Sequence, residues 1–250
     1  MPRGRCHFAL LSTLHVRLRD FCPPAAEIAD RYLPDFLAGA VAPDGLRYFA
    51  RLGKYGTHFY EEDRRETWGK AVSGMFEHHP DLSDPRELCD RDLALLLGYI
   101  SHLTVDEAFR DAVTYQTHAL GDDFRPTVRG LWAIVDRLPI EYDGPDDVIR
   151  SFDPSEDLGF IQHRAVADFL ELSRPWASTR DPWDIERVFL KMVRWRGGED
   201  EARLEWEDNL ELARPLLDDN RLARFVDLSV EYGEKAVMAY LDGAYAKPRT

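Results

Sequence analysis

His102 and Asp106 stand four residues apart on the longest helical pattern of the chain, which is apolar nearly all round over Leu95–Ile100. On a helix that spacing stacks the two side chains on one face. A carboxylate there needs a partner, because an unpaired buried charge is strongly unfavourable or is neutralised by a pKa shift. A metal ion is one such partner and an arginine is another. Two further positions invite the same question. Asp44 sits in Pro43-Asp44-Gly45 after the small-residue run Ala38–Ala42, which marks a tight turn with close backbone packing. His58 lies between a threonine and two aromatics in Gly56-Thr57-His58-Phe59-Tyr60, within an otherwise polar loop. Taken singly, Asp44 reads as a turn-former and His58 as a packed histidine.

Taken together, four segments form a pattern: His7; Phe36-Leu37-Ala38-Gly39-Ala40-Val41-Ala42-Pro43-Asp44; Thr57-His58-Phe59-Tyr60; and Gly98-Tyr99-Ile100-Ser101-His102-Leu103-Thr104-Val105-Asp106. Their order resembles the zinc-dependent phospholipase C family, whose helical fold is shared by the S1/P1-type nucleases. The resemblance covers roughly residues 5 to 110 and fades beyond Arg110. It implies that His58, His102, Asp44 and Asp106 hold one metal, with Asp106 bridging to a second that His7 also binds. It further implies an all-α bundle and a metal-dependent phosphoester hydrolase, in which Asp44 or Asp106 is a candidate to orient the water as well as bind metal. Imidazole and carboxylate suit Zn2+ best, while Mn2+ or Fe2+ would accept the same set.

The chain departs from that family after Asp106. A third metal there takes a histidine shortly after the helix aspartate, but Glu107–Ala112 contains none. The nearest substitute is His118 with Asp122, and His163 is a further candidate. Tyr60, Glu61 and Glu62 adjoin His58 and are expected to line the pocket or to accept hydrogen bonds from the imidazoles, as is Tyr99. There is no HExxH, no glycine-rich phosphate loop and no Gly-x-Ser-x-Gly elbow. Trp176, Trp183, Trp195 and Trp206 recur at helical spacing and read as core.

Helices must position these groups. Apolar periodicity predicts them over Phe8–Leu18, Ala25–Leu37 and Arg64–Phe76, and then a long one from Pro85, capped by Ser83 or Asp84, that extends towards Tyr115. Further stretches are Pro126–Arg137, Pro145–Phe152, Leu158–Leu172, Pro182–Arg194, Glu199–Leu217 and Asn220–Leu241. The expectation is a single all-α domain over 1–250, with a metal-binding core in 1–120 and the C-terminal helices of 121–250 packed on it.

Net charge is −14, and the basic residues are scattered, which argues against a nucleic-acid partner. Cys6, Cys22 and Cys89 are too few and too irregular for a disulfide framework and read as small buried hydrophobes. No apolar run is long enough to span a membrane, and the start of the chain lacks a cleavage signal, so a cytoplasmic protein is expected. Three readings follow: a phosphoester hydrolase with one or two ions acting on a small or lipid-like substrate; the same fold and reduced site turned to another reaction; or a non-catalytic helical binding protein. Oligomeric state is left open.

Overall fold

Prolines and glycines decide where the helices break. Helix α1 (Gly4–Phe21) ends at Cys22, and Pro23 then opens α2 (Pro23–Arg31), a first-turn place where its missing N–H is no loss. The continuous helix expected over Ala25–Leu37 is two helices. Pro34 has no N–H for the Asp30 carbonyl and its ring would clash there, so the chain breaks at Tyr32 and restarts as α3 (Leu33–Gly39). The computed structural model describes residues 2–61, 63–115 and 124–246. Among them are thirteen α-helices and no β-strand, only an isolated bridge between Leu158 and Ile161.

Several boundaries move for similar reasons. Pro43 and Asp44 are not a tight turn but the first turn of α4 (Ala42–Tyr48), and His58 ends a one-turn helix, α5 (Tyr55–His58). The helix expected from Arg64 begins only at α6 (Ala71–His78), because Gly69 takes a positive φ of 69° after a short 3-10 turn. Asp84 does cap, but it caps a 3-10 turn at Pro85–Glu87, and α7 (Asp90–Phe109) starts after Cys89. A π-helical turn, Arg110–Thr114, continues it. Then come α8 (Phe124–Val135), α9 (Pro145–Arg150), α10 (His163–Ser178), α11 (Pro182–Met192), α12 (Glu199–Ala213) and α13 (Asp219–Leu241).

Helix α7 is the axis of the fold and is buried without interruption from Leu93 to Phe109. Against it lie α1, α2, α3, α6 and α13, while α10 covers α4. The closest approach is between α3 and α7. A Cβ on Gly39 would fall 2.0 Å from the Leu95 carbonyl oxygen, and one on Gly98 would fall 2.1 Å from that of Phe36. Only glycine lets two backbones meet so closely.

The start of the chain is fastened to the C-terminal helices. Arg3 pairs with Asp136 at 2.6 Å and with Glu186 at 2.5 Å, all three side chains being buried. Arg5 donates to the Asp136 and Trp176 carbonyls at 2.6 Å each. Two core expectations need correction. Trp195 is 37% exposed, because it follows the end of α11. Only Cys6 is buried; Cys22 is half-buried at a helix junction and Cys89 is exposed at the start of α7. No helix of the described residues is long and apolar enough to cross a membrane.

Candidate metal centre

The Gly39–Gly98 contact brings the Ala40 carbonyl oxygen to 2.8 Å from His102 Nδ1. A carbonyl only accepts, so Nδ1 carries the proton and the Nε2 lone pair faces inward. A similar device holds His58. Its Nδ1 is 2.7 Å from Thr57 Oγ1, and that hydroxyl is itself 3.2 Å from the Lys54 carbonyl. The hydroxyl donates to the carbonyl and accepts from Nδ1–H, which again leaves Nε2 bare. Tyr99 donates its hydroxyl to the Thr57 carbonyl at 2.6 Å and so braces the support of His58 rather than the ring itself. Immediately after His58 the chain turns through Phe59 at φ 56°, a left-handed conformation that is costly for a bulky side chain.

The two bare Nε2 atoms are 3.2 Å apart. Beside them is Asp106, whose oxygens are both buried without a hydrogen-bond partner. Its Oδ2 lies 3.7 Å from the Nε2 of both His58 and His102, and its Oδ1 lies 3.6 Å from His7 Nε2. His7 stacks on His102 with ring centroids 3.7 Å apart, and neither of its nitrogens has a partner. Asp44 Oδ1 completes the set at 3.7 Å from His58 Nε2. Five side chains from α1, α4, α5 and α7 therefore converge. They fall into two groups sharing His102: His7, His102 and Asp106, and Asp44, His58 and His102.

Ligands around one tetrahedral cation with bonds of about 2.0–2.2 Å are separated by about 3.3–3.6 Å. The His58–His102, His58–Asp44, His58–Asp106 and His102–Asp106 separations of 3.2–3.7 Å come close to that spacing, and those to the carboxylates are too long for hydrogen bonds. A proton would serve the site poorly, since burial pushes His7 well below the ordinary histidine range and lowers His58 as well. Burial alone would raise the Asp44 carboxyl, but its contact with His58 and the surrounding imidazoles of His102, His58 and His7 hold it well below the carboxylate range. Orphaned carboxylate oxygens and bare imidazole nitrogens, buried together, could hold a divalent cation.

Other expected residues lie elsewhere. His163 begins α10 among Arg91, Asp157 and Asp35, and belongs to neither group. Arg91 is eleven residues before His102 on α7, roughly 16 Å along the axis. Glu61 turns outward to Arg64 at 3.2 Å rather than to an imidazole. The Tyr60 ring lies under the Lys54 ammonium at 4.6 Å. His118, Asp122 and Glu62 fall outside the described residues. The braces on His102 and His58 are not readable from side-chain types. One is a backbone carbonyl, signalled only by the small residues around it, and the other is a threonine whose motif partner drew attention first.

Asp44 alone of these five side chains reaches a cavity of ≈700 Å³ that also meets Arg47, Lys54 and Trp132. No protein-family model matches the chain, and no curated protein or solved structure matches it either.

Proposed function

We propose that the chain is a metal-dependent hydrolase of phosphoesters, phospholipase C-like in its centre. His58, His102, Asp44 and Asp106 would hold one divalent cation, most naturally Zn2+, with Mn2+ or Fe2+ as alternatives. His7 and the other Asp106 oxygen would hold a second. The observation that carries this reading is Asp106, a buried carboxylate ringed by three imidazole nitrogens at 3.6–3.7 Å with no donor on either oxygen. When bound, a cation of this kind supplies Lewis acidity, bringing the pKa of water to about 7 and drawing charge from a phosphoryl oxygen.

The chain's own groups divide the remaining work. Asp44 is ionised and opens on the cavity, so it is placed to accept a hydrogen bond from the attacking water and to fix its direction. Asp106, deep and enclosed, ties the two ligand groups together. The Ala40 carbonyl and Thr57 hydroxyl keep both inner imidazoles in the tautomer that offers Nε2. The order of ligands along the chain supports a phosphoester as substrate, small or lipid-like.

A second reading, the same centre turned to another reaction, draws on Arg110. One turn beyond Asp106, where the resemblance would place a further ligand, stands a buried guanidinium with one unpartnered nitrogen. Elemental analysis of gently purified protein is expected to find one or two ions per chain; none would support a non-catalytic binding protein. Turnover of a chromogenic phosphodiester should vanish in His102→Ala and Asp106→Asn. Bound metal without any such turnover in the wild type would favour the second reading.

A further inference from the structure

His102 has one lone pair to give. Its Nδ1–H is committed to the Ala40 carbonyl, which leaves Nε2 alone to face the cluster. An imidazole lone pair lies in the plane of its ring, so an ion about 2.0–2.1 Å from Nε2 must lie in that plane too. His7 stacks on this ring, with centroids 3.7 Å apart and an interplanar angle of 9°. The lone pairs of the two imidazoles therefore run in nearly parallel planes one ring thickness apart, and no point near the cluster lies in both. An ion seated on His102 is out of line with the His7 nitrogen, and an ion seated on His7 is out of line with His102. Although donor atoms of His7, His102 and Asp106 lie within 4.8 Å of one another, the three do not form one coordination sphere.

Asp106 faces both sides of this division. Its Oδ2 lies 3.7 Å from the Nε2 atoms of His58 and His102, its Oδ1 lies 3.6 Å from His7 Nε2, and neither oxygen has a hydrogen-bond partner. On the Oδ2 side stand His58, His102 and Asp44. On the Oδ1 side, no described His, Cys, Asp or Glu other than His102 joins His7 and Asp106, and the His102 lone pair is already spent.

We propose that the cluster offers two unequal cation positions, a tight one at His58, His102, Asp44 and Asp106 Oδ2, and a loose one at His7 and Asp106 Oδ1 that fills and empties with the supply of free divalent cation. Two protein donors hold an ion far less firmly than four, and a cation already on Asp106 repels a second one. The loose position makes the centre responsive to metal supply, with His7 as the residue that senses it. That a cation binds at all rests on the reading above; the inequality of the two positions is independent of the phosphoester chemistry.

Titration of the chelator-stripped full chain with Co2+ tests this, because cobalt absorbs strongly in four-coordinate sites and weakly where water completes five or six positions. The first equivalent is expected to give intense visible bands and to survive dialysis. The second should add little absorption and bind about 100-fold or more weakly, measured by chelator competition. His7→Phe keeps a stacked ring without nitrogen, and should abolish the second step while leaving the bands and affinity of the first unchanged. His7→Ala should do the same without the larger ring, and the wild-type titration decides the matter even if both variants fail to fold. Two steps of equal affinity, no second step at millimolar Co2+, or a first step whose bands change in folded His7→Phe would overturn the proposal. Unequal steps without turnover of a chromogenic phosphodiester would sink the hydrolase reading alone, and equal steps with turnover would sink this proposal alone. A chain that takes up no Co2+ would overturn both.

Discussion

The Nε2 atoms of His58 and His102 face each other across 3.2 Å, while each ring's Nδ1 is held from outside, by Thr57 and by the Ala40 carbonyl. Two lone pairs so close repel unless something positive sits between or beside them. The rings cannot turn away without breaking their outer hydrogen bonds, so the protein holds an arrangement that suits a cation better than it suits the empty fold.

The outer bond to His58 is the easier one to remove. Thr57→Val keeps the shape of the side chain but leaves Nδ1–H without an acceptor, and should weaken metal binding by about 10–100-fold. Thr57→Ser should bind nearly as the wild type does. Competition against a chromophoric chelator measures both.

Acidity should destabilise the metal-free protein in a defined order. Burial holds His7 and His58 below the ordinary histidine range in the fold, against the raising pull of Asp44 on both and of Asp106 on His58. The unfolded chain therefore takes up protons near pH 6.5 that the fold refuses, and stability falls as pH drops through that point. Each histidine contributes a slope of up to about 1.4 kcal/mol per pH unit. Asp44, depressed in the fold, adds a further loss below about pH 4, where the unfolded carboxylate protonates. Urea unfolding in the presence of a chelator between pH 7.5 and 5 reads the first part; an unchanged midpoint would contradict buried neutral histidines.

Gly98→Ala should disrupt the centre through the backbone. The added methyl would fall 2.1 Å from the Phe36 carbonyl oxygen and 3.0 Å from Gly39 Cα, and neither can yield as a side chain would. The expected cost is about 3 kcal/mol or more. Metal affinity should fall too, because the Ala40 carbonyl moves with α3. Unfolding midpoints and metal titration of the same variant report the two effects.

Arg3→Met removes a guanidinium and leaves Asp136 and Glu186, each about 1% exposed, with less compensation than before. Breaking a buried pair in this way typically costs about 3–5 kcal/mol. Thermal unfolding should show the loss. A variant as stable as the wild type would mean that the pair contributes nothing net.

The all-α class and the central place of α7 were legible because the apolar face of Leu93–Leu103 leaves no other home for so many aliphatic side chains. That five side chains cluster was legible only through the family resemblance, since His102 and Asp106 mark one helix face while Asp44 and His58, taken singly, read as a turn-former and a packed histidine. Boundaries were less so. The apolar spacing of Ala25–Leu37 continues across Tyr32 although the helix does not, because two helices can bury one stripe. Asp44 looked like a turn because Pro-Asp-Gly serves a first helical turn equally well. The partners of Arg3 and Arg5 lie more than 130 positions away, and no local pattern points to them.

Those distant partners carry a consequence for how the molecule comes together. His7 rides on a helix whose entry is pinned at residues 136, 176 and 186, whereas the other four side chains of the cluster all lie within residues 44–106. A chain still emerging from the ribosome could collect His58, His102, Asp44 and Asp106 well before it could seat His7. On the proposed function, capture of ions by all five side chains would then be the closing event of maturation, and occupancy at His7 would report that the last helices have arrived.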